Sequence, residues 1–580
     1  MAEHKRKGLR VAGTYTGEKV PKFTKWFYPF SGIFRDACYA LVGSFLLQYA
    51  ITSGVLSNDP ETFASQYGII TIAMMVALIW DGINDPIMGF IVEKVHFKLG
   101  KFKPWILIGA IGNAVAVVLM FLIRPGSYEG GTWVANGWAY VGWMIAFYFL
   151  WDLFFTMNDI GYWAMLPSLT SDEHERAQLT SRGSIAAAVG GFLMTAVATL
   201  LPSAAANFGS SAAGVYAAMA IVVSILFLAS QAIVFFFCQE KQRDLEQEQK
   251  SEESSLVDLF KVVAKNPQVR VAVIAMFLYY LGSGVLTGGI GVNYYNFAAG
   301  YGTFSGGIVT TVISVMYVIG MIASQAAYPA MAKKMPKQKI LTLGTIIAVL
   351  GGLGFFLTCF PLFGDKPFSL MFVGESPAYD AGAYDFGWIF GGTMFCNYIF
   401  PAIFFFGMGL IYMVVLVMFQ DAIDYNEYKF GERKESVISA WRPLDVKLGS
   451  ALLRGIQYLV FISAGVMGVV NGISNAEGLS NAKAYTSSEF IVRIKELMNG
   501  VNRSSLNIIG IWVLVILMGC VIGTWVLLHF FYKIDEETHR KMIEEIDAKK
   551  AAKAAESAPA EEPKPVEEKA EEAPAEEAAE

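Results

Sequence analysis

Twelve apolar stretches run along the chain, near 27–52, 66–92, 104–124, 135–167, 181–201, 214–238, 269–293, 305–331, 339–362, 395–421, 445–471 and 505–532. Each is long enough for one helix to cross the roughly 30 Å apolar core of a bilayer. The prediction is an all-α membrane protein with twelve transmembrane helices. The polar stretches divide it. Residues 1–26 are a basic N-terminus. The longest charged loop, 239–268, separates six spans (27–238) from six more (269–533), and 534–580 close the chain. In the connector, SLVDLFKVVAKN reads as an amphipathic surface helix. From Ala548 onward Ala, Glu, Pro and Lys recur without apolar periodicity, so this tail is expected to be disordered. The segments 363–394 and 472–504 are expected to cap the outer mouth.

Loop charge sets the orientation. Lys and Arg concentrate in the even loops (94–103, 171–182, the connector, 333–339 and 429–442), whereas the loop 125–135 has none. Both termini are therefore expected in the cytoplasm. The loops after spans two and eight, GFIVEKVHFKLGKFKP and YPAMAKKMPKQK, are short, basic and equivalently placed. That faint repeat suits two parallel six-helix bundles with the solute site between them.

Composition agrees. The chain is 55% hydrophobic and 16% charged, with a mean hydropathy of +0.46. Cys38, Cys238, Cys359, Cys396 and Cys520 lie in or beside apolar runs without metal-ligand spacing and read as small core residues. A Cys359–Cys396 disulfide is disfavoured. No histidine falls in the centre of a span, which argues against a histidine proton relay. Glycine runs such as AAAVGG (186–191) read as close helix packing, and those of span seven (281–291) as a place for a gate to bend.

The chemistry lies in the polar residues of the spans. In WDGINDP, Asp81 and Asp85 are four apart and Asn84 three after Asp81, so all three share one helix face. A mid-membrane carboxylate costs roughly 2.5–3.5 kcal/mol. A metal cation, a proton or a basic side chain must neutralise this pair, and a set of oxygens alone favours a hard cation. Span one carries Arg35 and Asp36. Thr156, Asp159 and Trp163 share a face of span four, and Lys447 and Arg454 a face of span eleven. Four acids facing lipid would cost on the order of 10 kcal/mol, so Asp36, Asp81, Asp85 and Asp159 must face one polar cavity. Trp163 beside an acid offers a ring face to a sugar while the carboxylate accepts its hydroxyls. Arg454 is left unassigned.

Three segments, WDGINDPIMGFIVEK…GKFKPWIL, DIGYWAMLPSLTSDEHERAQL and DYNEYKFGERKES, are similar to signatures of the glycoside–pentoside–hexuronide:cation symporters, the melibiose-permease-like branch of the major facilitator superfamily. The likeness runs from about Trp26 to Lys533. It implies the major facilitator fold and sugar symport by alternating access, driven by Na⁺, with H⁺ or Li⁺ as substitutes, and no cofactor. By position, Asp81, Asn84 and Asp85 match the family's cation motif, joined by Thr156 and Asp159. Asp36, Asp159 and Trp163 match sugar-contacting positions, Arg35 stands where the family has a basic residue, and Lys447 matches a basic residue near the cation site. Arg182 falls a residue or two before an expected sugar-binding Arg. Gly161 replaces the family's usual Pro in span four.

The partners expected are thus a sugar or glycoside, a monovalent cation and the lipid of the cell membrane, without nucleic acid. A distant relative's solute such as a lysolipid would need an apolar cavity open to the bilayer, which Arg35, Asp36, Asp159 and Trp163 oppose. A sensor or scaffold would not need the complete set Asp81, Asn84, Asp85 and Asp159. No nucleophile or His/Cys metal set suggests an enzyme. Among cations, a proton needs only one carboxylate, whereas Asn84 does not titrate, so its presence favours Na⁺ as the metal ion held by Asp81, Asn84, Asp85 and Asp159.

Overall fold

A computed structural model describes residues 14–15, 19–95, 97, 99–129, 132–170, 172–241, 256–359, 386–390, 394–432 and 434–557. Twelve of its helices are long and apolar enough to span a membrane. The first six spans are α1 (Lys22–Thr52), α2 (Pro60–Lys94), α3 (Lys103–Leu122), α4 (Gly137–Ser168), α5 (Glu173–Ser203) and α6 (Ala212–Phe237). An amphipathic surface helix, α7 (Leu256–Lys265), follows as expected. Span seven comes as two pieces, α8 (Pro267–Thr287) and α9 (Gly289–Ala299). They part at the extended Gly288, in the glycine run read as a bend. Then come α10 (Phe304–Ala332), α11 (Lys337–Cys359), α12 (Met394–Phe430) and α13 (Trp441–Ser463), two short helices α14 (Met467–Asn481) and α15 (Ser487–Asn499), the last span α16 (Arg503–Val526), and α17 (Glu536–Ser557).

Capping residues start the spans where chain entry requires them. Asp59 accepts the Thr62 N–H at 2.8 Å ahead of Pro60 in α2, and Asn136 accepts the Ala139 N–H at 3.1 Å at the head of α4. Glycine sets the closest approaches. A Cβ on Gly190 of α5 would lie 2.0 Å from the Ile33 carbonyl oxygen of α1, so these helices pack backbone to backbone.

One feature corrects the expected ends. The tail predicted as disordered from Ala548 is helical to Ser557. Its Glu, Lys and Ala are strong helix formers, and Met542 and Ile546, four apart, bury against the bundle. His539 meets Asp424 at 3.1 Å and Lys550 meets Glu427 at 2.7 Å, docking α17 on α12. Residues 558–580, most of 363–394 and the side chains of Cys359 and Cys396 lie outside the described residues.

The other expected cap is the helical pair α14 and α15, on the face opposite the termini. There α14 bridges the two halves. Asn471 donates to the Ser57 carbonyl at 2.9 Å, and Ser211 donates to Asn481 at 2.8 Å. Glu477 accepts the Ala212 N–H and the Tyr301 hydroxyl, both at 2.8 Å. Gly54 and Gly478 leave no room for side chains between them.

Two outcomes follow from this packing. Gly190→Val forces α1 and α5 apart and is expected to cost roughly 1–3 kcal/mol, read as a lower melting temperature in detergent; an unchanged melt contradicts the contact. Burial pushes the Glu477 carboxyl up to about 7, against the lowering by its two donors. A carboxyl raised above its ordinary value stabilises the docked helix most below about pH 4.5, and that contribution is lost as pH rises through about 7. Amide exchange in α14, corrected for intrinsic rates, should therefore speed up between pH 5 and 8, and Glu477→Gln should abolish the change.

Candidate functional site

Two charge clusters sit inside the bundle on the side of the termini. The first surrounds Arg35, which is only 1% exposed. Its Nη2 lies 2.6 Å from Asp36 Oδ2 and its Nη1 3.2 Å from Asp159 Oδ1. The guanidinium carbon stands 4.2 Å from the Tyr162 ring centre and 4.9 Å from that of Trp163. Tyr28 stacks on Tyr162 and donates to its carbonyl at 2.7 Å, fixing α1 against α4. Arg35 is thereby locked, while the side chains of Asp36 and Asp159 keep 22% and 38% of their surface open. Asp36, Asp159 and Trp163 are thus all partly exposed beside a buried cation.

The second cluster joins the two halves. The i,i+4 spacing of Asp81 and Asp85 points both carboxylates at Lys447, which reaches across from α13. Its Nζ lies 2.7 Å from Asp81 Oδ2 and also pairs with Asp85. Thr156 on α4 donates to Asp81 Oδ1 at 3.1 Å. Asn84 is buried on the same helix as the two acids, and its amide nitrogen has no hydrogen-bond partner among the described residues.

The expected cage of Asp81, Asn84, Asp85 and Asp159 is therefore divided. Asp159 turns to Arg35, and Lys447 occupies the oxygens that a metal would need. Among the described residues, no three His, Cys, Asp or Glu side chains group closely enough to hold a metal ion. The physical reason is that an ammonium on a four-carbon stem satisfies both α2 acids at once. Arg182 also departs from expectation. Its guanidinium lies 4.1 Å over the Trp26 ring, in an apolar groove with Phe23 and Phe30. α4 runs unbroken through Gly161.

Three participants were missed in the sequence. Asp152 lies four before Thr156 and seven before Asp159, on the same helix face, and is 4% exposed; that spacing was the available signal. Tyr162 was hidden by its role in packing. The third is Arg454. It lines a cavity of about 600 Å³ between the halves with Gln48, Thr195, Thr287, Gln325 and Gln457. Its Nη2 donates to the Gly43 carbonyl at 2.5 Å and its Nη1 to the Tyr148 hydroxyl at 3.2 Å. The cavity has the size range of small-molecule sites, and apart from Arg454 its polar lining is neutral.

The sequence model of a family described as MFS/sugar transport protein matches residues 64–536. The chain is similar to the raffinose carrier protein of Pediococcus pentosaceus, at 24% identity over 446 residues, covering 76% of this chain and 62% of that one. It is 27% identical over 441 residues to the lactose permease of Lactobacillus helveticus, covering 75% and 61%. With the isoprimeverose transporter of Lactiplantibacillus pentosus it shares 22% over 461 residues, covering 80% and 84%. It thus spans about three-fifths of the raffinose and lactose relatives.

The Lys447 contact makes a prediction that needs no solute. Lys447→Met leaves Asp81 and Asp85 as unpaired neighbours and is expected to lower stability by on the order of 3 kcal/mol. Added Na⁺ should raise the melting temperature of this variant more than that of wild type. Equal responses would mean that the two carboxylates do not compete for cations.

Proposed function

The chain belongs to the MFS/sugar transport protein family, and from that premise we propose that it is a secondary transporter carrying a sugar or glycoside together with Na⁺, with H⁺ as a substitute. As a member of that family with twelve spans it is a multi-pass cell-membrane protein and not an enzyme.

The observation that carries the coupling is the position of Lys447. An ammonium from one half holds two carboxylates of the other. A cation entering this cluster competes with the ammonium for Asp81 and Asp85, with Thr156 and Asn84 as neutral neighbours. The contact between halves then depends on cation occupancy. A ligand shifts a conformational equilibrium only through such a difference in affinity between states. Asp36, Asp159 and Trp163 form the solute side, where exposed carboxylates accept hydroxyls and the indole ring packs on the C–H face of a sugar. Arg35 positions both acids. The basic loops favour cytoplasmic termini, and on that reading the bridging of the far face by α14 supports an inward-facing state.

Purified protein in liposomes tests this reading. Lactose, raffinose, isoprimeverose and a methyl glucuronide are offered under an inward Na⁺ gradient or an inward proton gradient. At least one is expected to accumulate with Na⁺, and accumulation of none under either gradient contradicts the reading. Trp163→Ala and Asp36→Asn should weaken solute binding while sparing Na⁺ binding. A charge-assisted hydrogen bond is worth roughly 1.5–3 kcal/mol, about tenfold or more in affinity. Unchanged affinity in both variants would place the pocket elsewhere, with the cavity at Arg454 next in line.

A further inference from the structure

We infer that Asp152 is the carboxylate that receives the coupling cation, an inference that rests on the cation-coupled reading above.

Away from the helix ends the spans of the first half carry five acids, Asp36, Asp81, Asp85, Asp152 and Asp159, and four of these have a cationic partner. Arg35 serves Asp36 and Asp159, and Lys447 serves Asp81 and Asp85. Asp152 has none. It is 4% exposed, and its Oδ2 has no hydrogen-bond partner among the described residues. An ionised carboxylate left so in an apolar layer is strongly disfavoured. It therefore holds a cation, as a metal or as a proton, in any stable state of the protein.

Its surroundings favour a shared site over an isolated acid. The charged groups facing it are Asp81 and Asp85 from α2 and Lys447 from α13, with Tyr148 one turn back on its own helix. Thr156, one turn onward, already donates to Asp81 at 3.1 Å. Asp152, Thr156 and Asp81 thus offer oxygens from two adjacent helices, the donor type that a hard cation takes. Lys447 need not leave. With a second positive charge at Asp152, it keeps Asp85 and releases Asp81 to the ion. Asp445 on α13 is also buried and unpartnered. Among the described residues no charged group faces it, so it lacks the shared oxygens that single out Asp152.

The test uses the full chain in detergent with Na⁺ and H⁺ as the only ligands. Binding of radioactive sodium is measured at fixed pH, and proton uptake is measured in weakly buffered solution, for wild type, Asp152→Asn, Asp152→Glu and Asp81→Asn. Thermal melting confirms that each variant is folded. Asp152→Asn is expected to melt no lower than wild type yet to weaken Na⁺ binding about tenfold or more, with partial recovery in Asp152→Glu. If wild type ignores Na⁺ but takes up a proton that Asp152→Asn does not, the site is the same and the ion is H⁺. Wild-type binding of both ions by Asp152→Asn overturns the inference, and a loss in Asp81→Asn alone would then leave the coupled reading standing without it. A wild type that binds neither ion overturns the coupled reading and this site together.

Discussion

An ammonium seated between two carboxylates ties the halves of this protein together inside the apolar layer. Neither partner is stable there alone, because bilayer and core lack the water that would solvate a charge. Lys447 belongs to α13, and Asp81 and Asp85 belong to α2, so the demand for neutrality becomes a demand on the arrangement of the halves. Any cation that satisfies the acids instead alters that arrangement. The Arg35 cluster obeys the same rule with another result. Its guanidinium is locked between Tyr162, Trp163 and two acids of its own half, so it ties α1 to α4 and does not join the halves.

The opposite face is closed by different forces. There α14 is held by neutral hydrogen bonds, a glycine-to-glycine approach and the buried Glu477. Such contacts exchange for water at modest net cost, which suits a closure that must open. Gly288 interrupts span seven where α8 meets α9, beside the cavity that Arg454 lines. The strong ionic tie on one side, the weaker polar seal on the other and a broken helix between them support the proposal that the protein opens to each side in turn.

Much of this was legible from residue spacing. The twelve spans, the split of six and six and the surface helix at Leu256 follow from run length and charge. The i,i+4 pair Asp81 and Asp85 and the Thr156–Asp159 face follow from helical periodicity. Partner choice did not. Spacing shows which residues share a face but not which distant helix faces them, so Lys447 could be placed near the acids without revealing that it occupies both. Asp159 carries both a cation-site and a sugar-site assignment, and its pairing with Arg35 depends on how α1 packs on α4. Asp152 sat inside the aromatic run FLWDLFF and belongs to no motif, although its spacing from Thr156 was visible. Arg182 was assigned by position alone, and its guanidinium lies over Trp26. The tail was judged by composition, which is silent about the two apolar residues that dock it.

The central claim is that a cation and a solute act on one conformational equilibrium through the acids that Lys447 neutralises. Thermodynamic linkage makes it measurable, because the factor by which Na⁺ tightens sugar binding must equal the factor by which sugar tightens Na⁺ binding. Calorimetric titration of the purified protein, sugar into a series of Na⁺ concentrations and Na⁺ into a series of sugar concentrations at fixed pH, gives both factors. The account predicts equal factors well above one in wild type and a collapse of both towards one in Asp81→Asn. A sugar affinity that ignores Na⁺ and pH alike in wild type would contradict it.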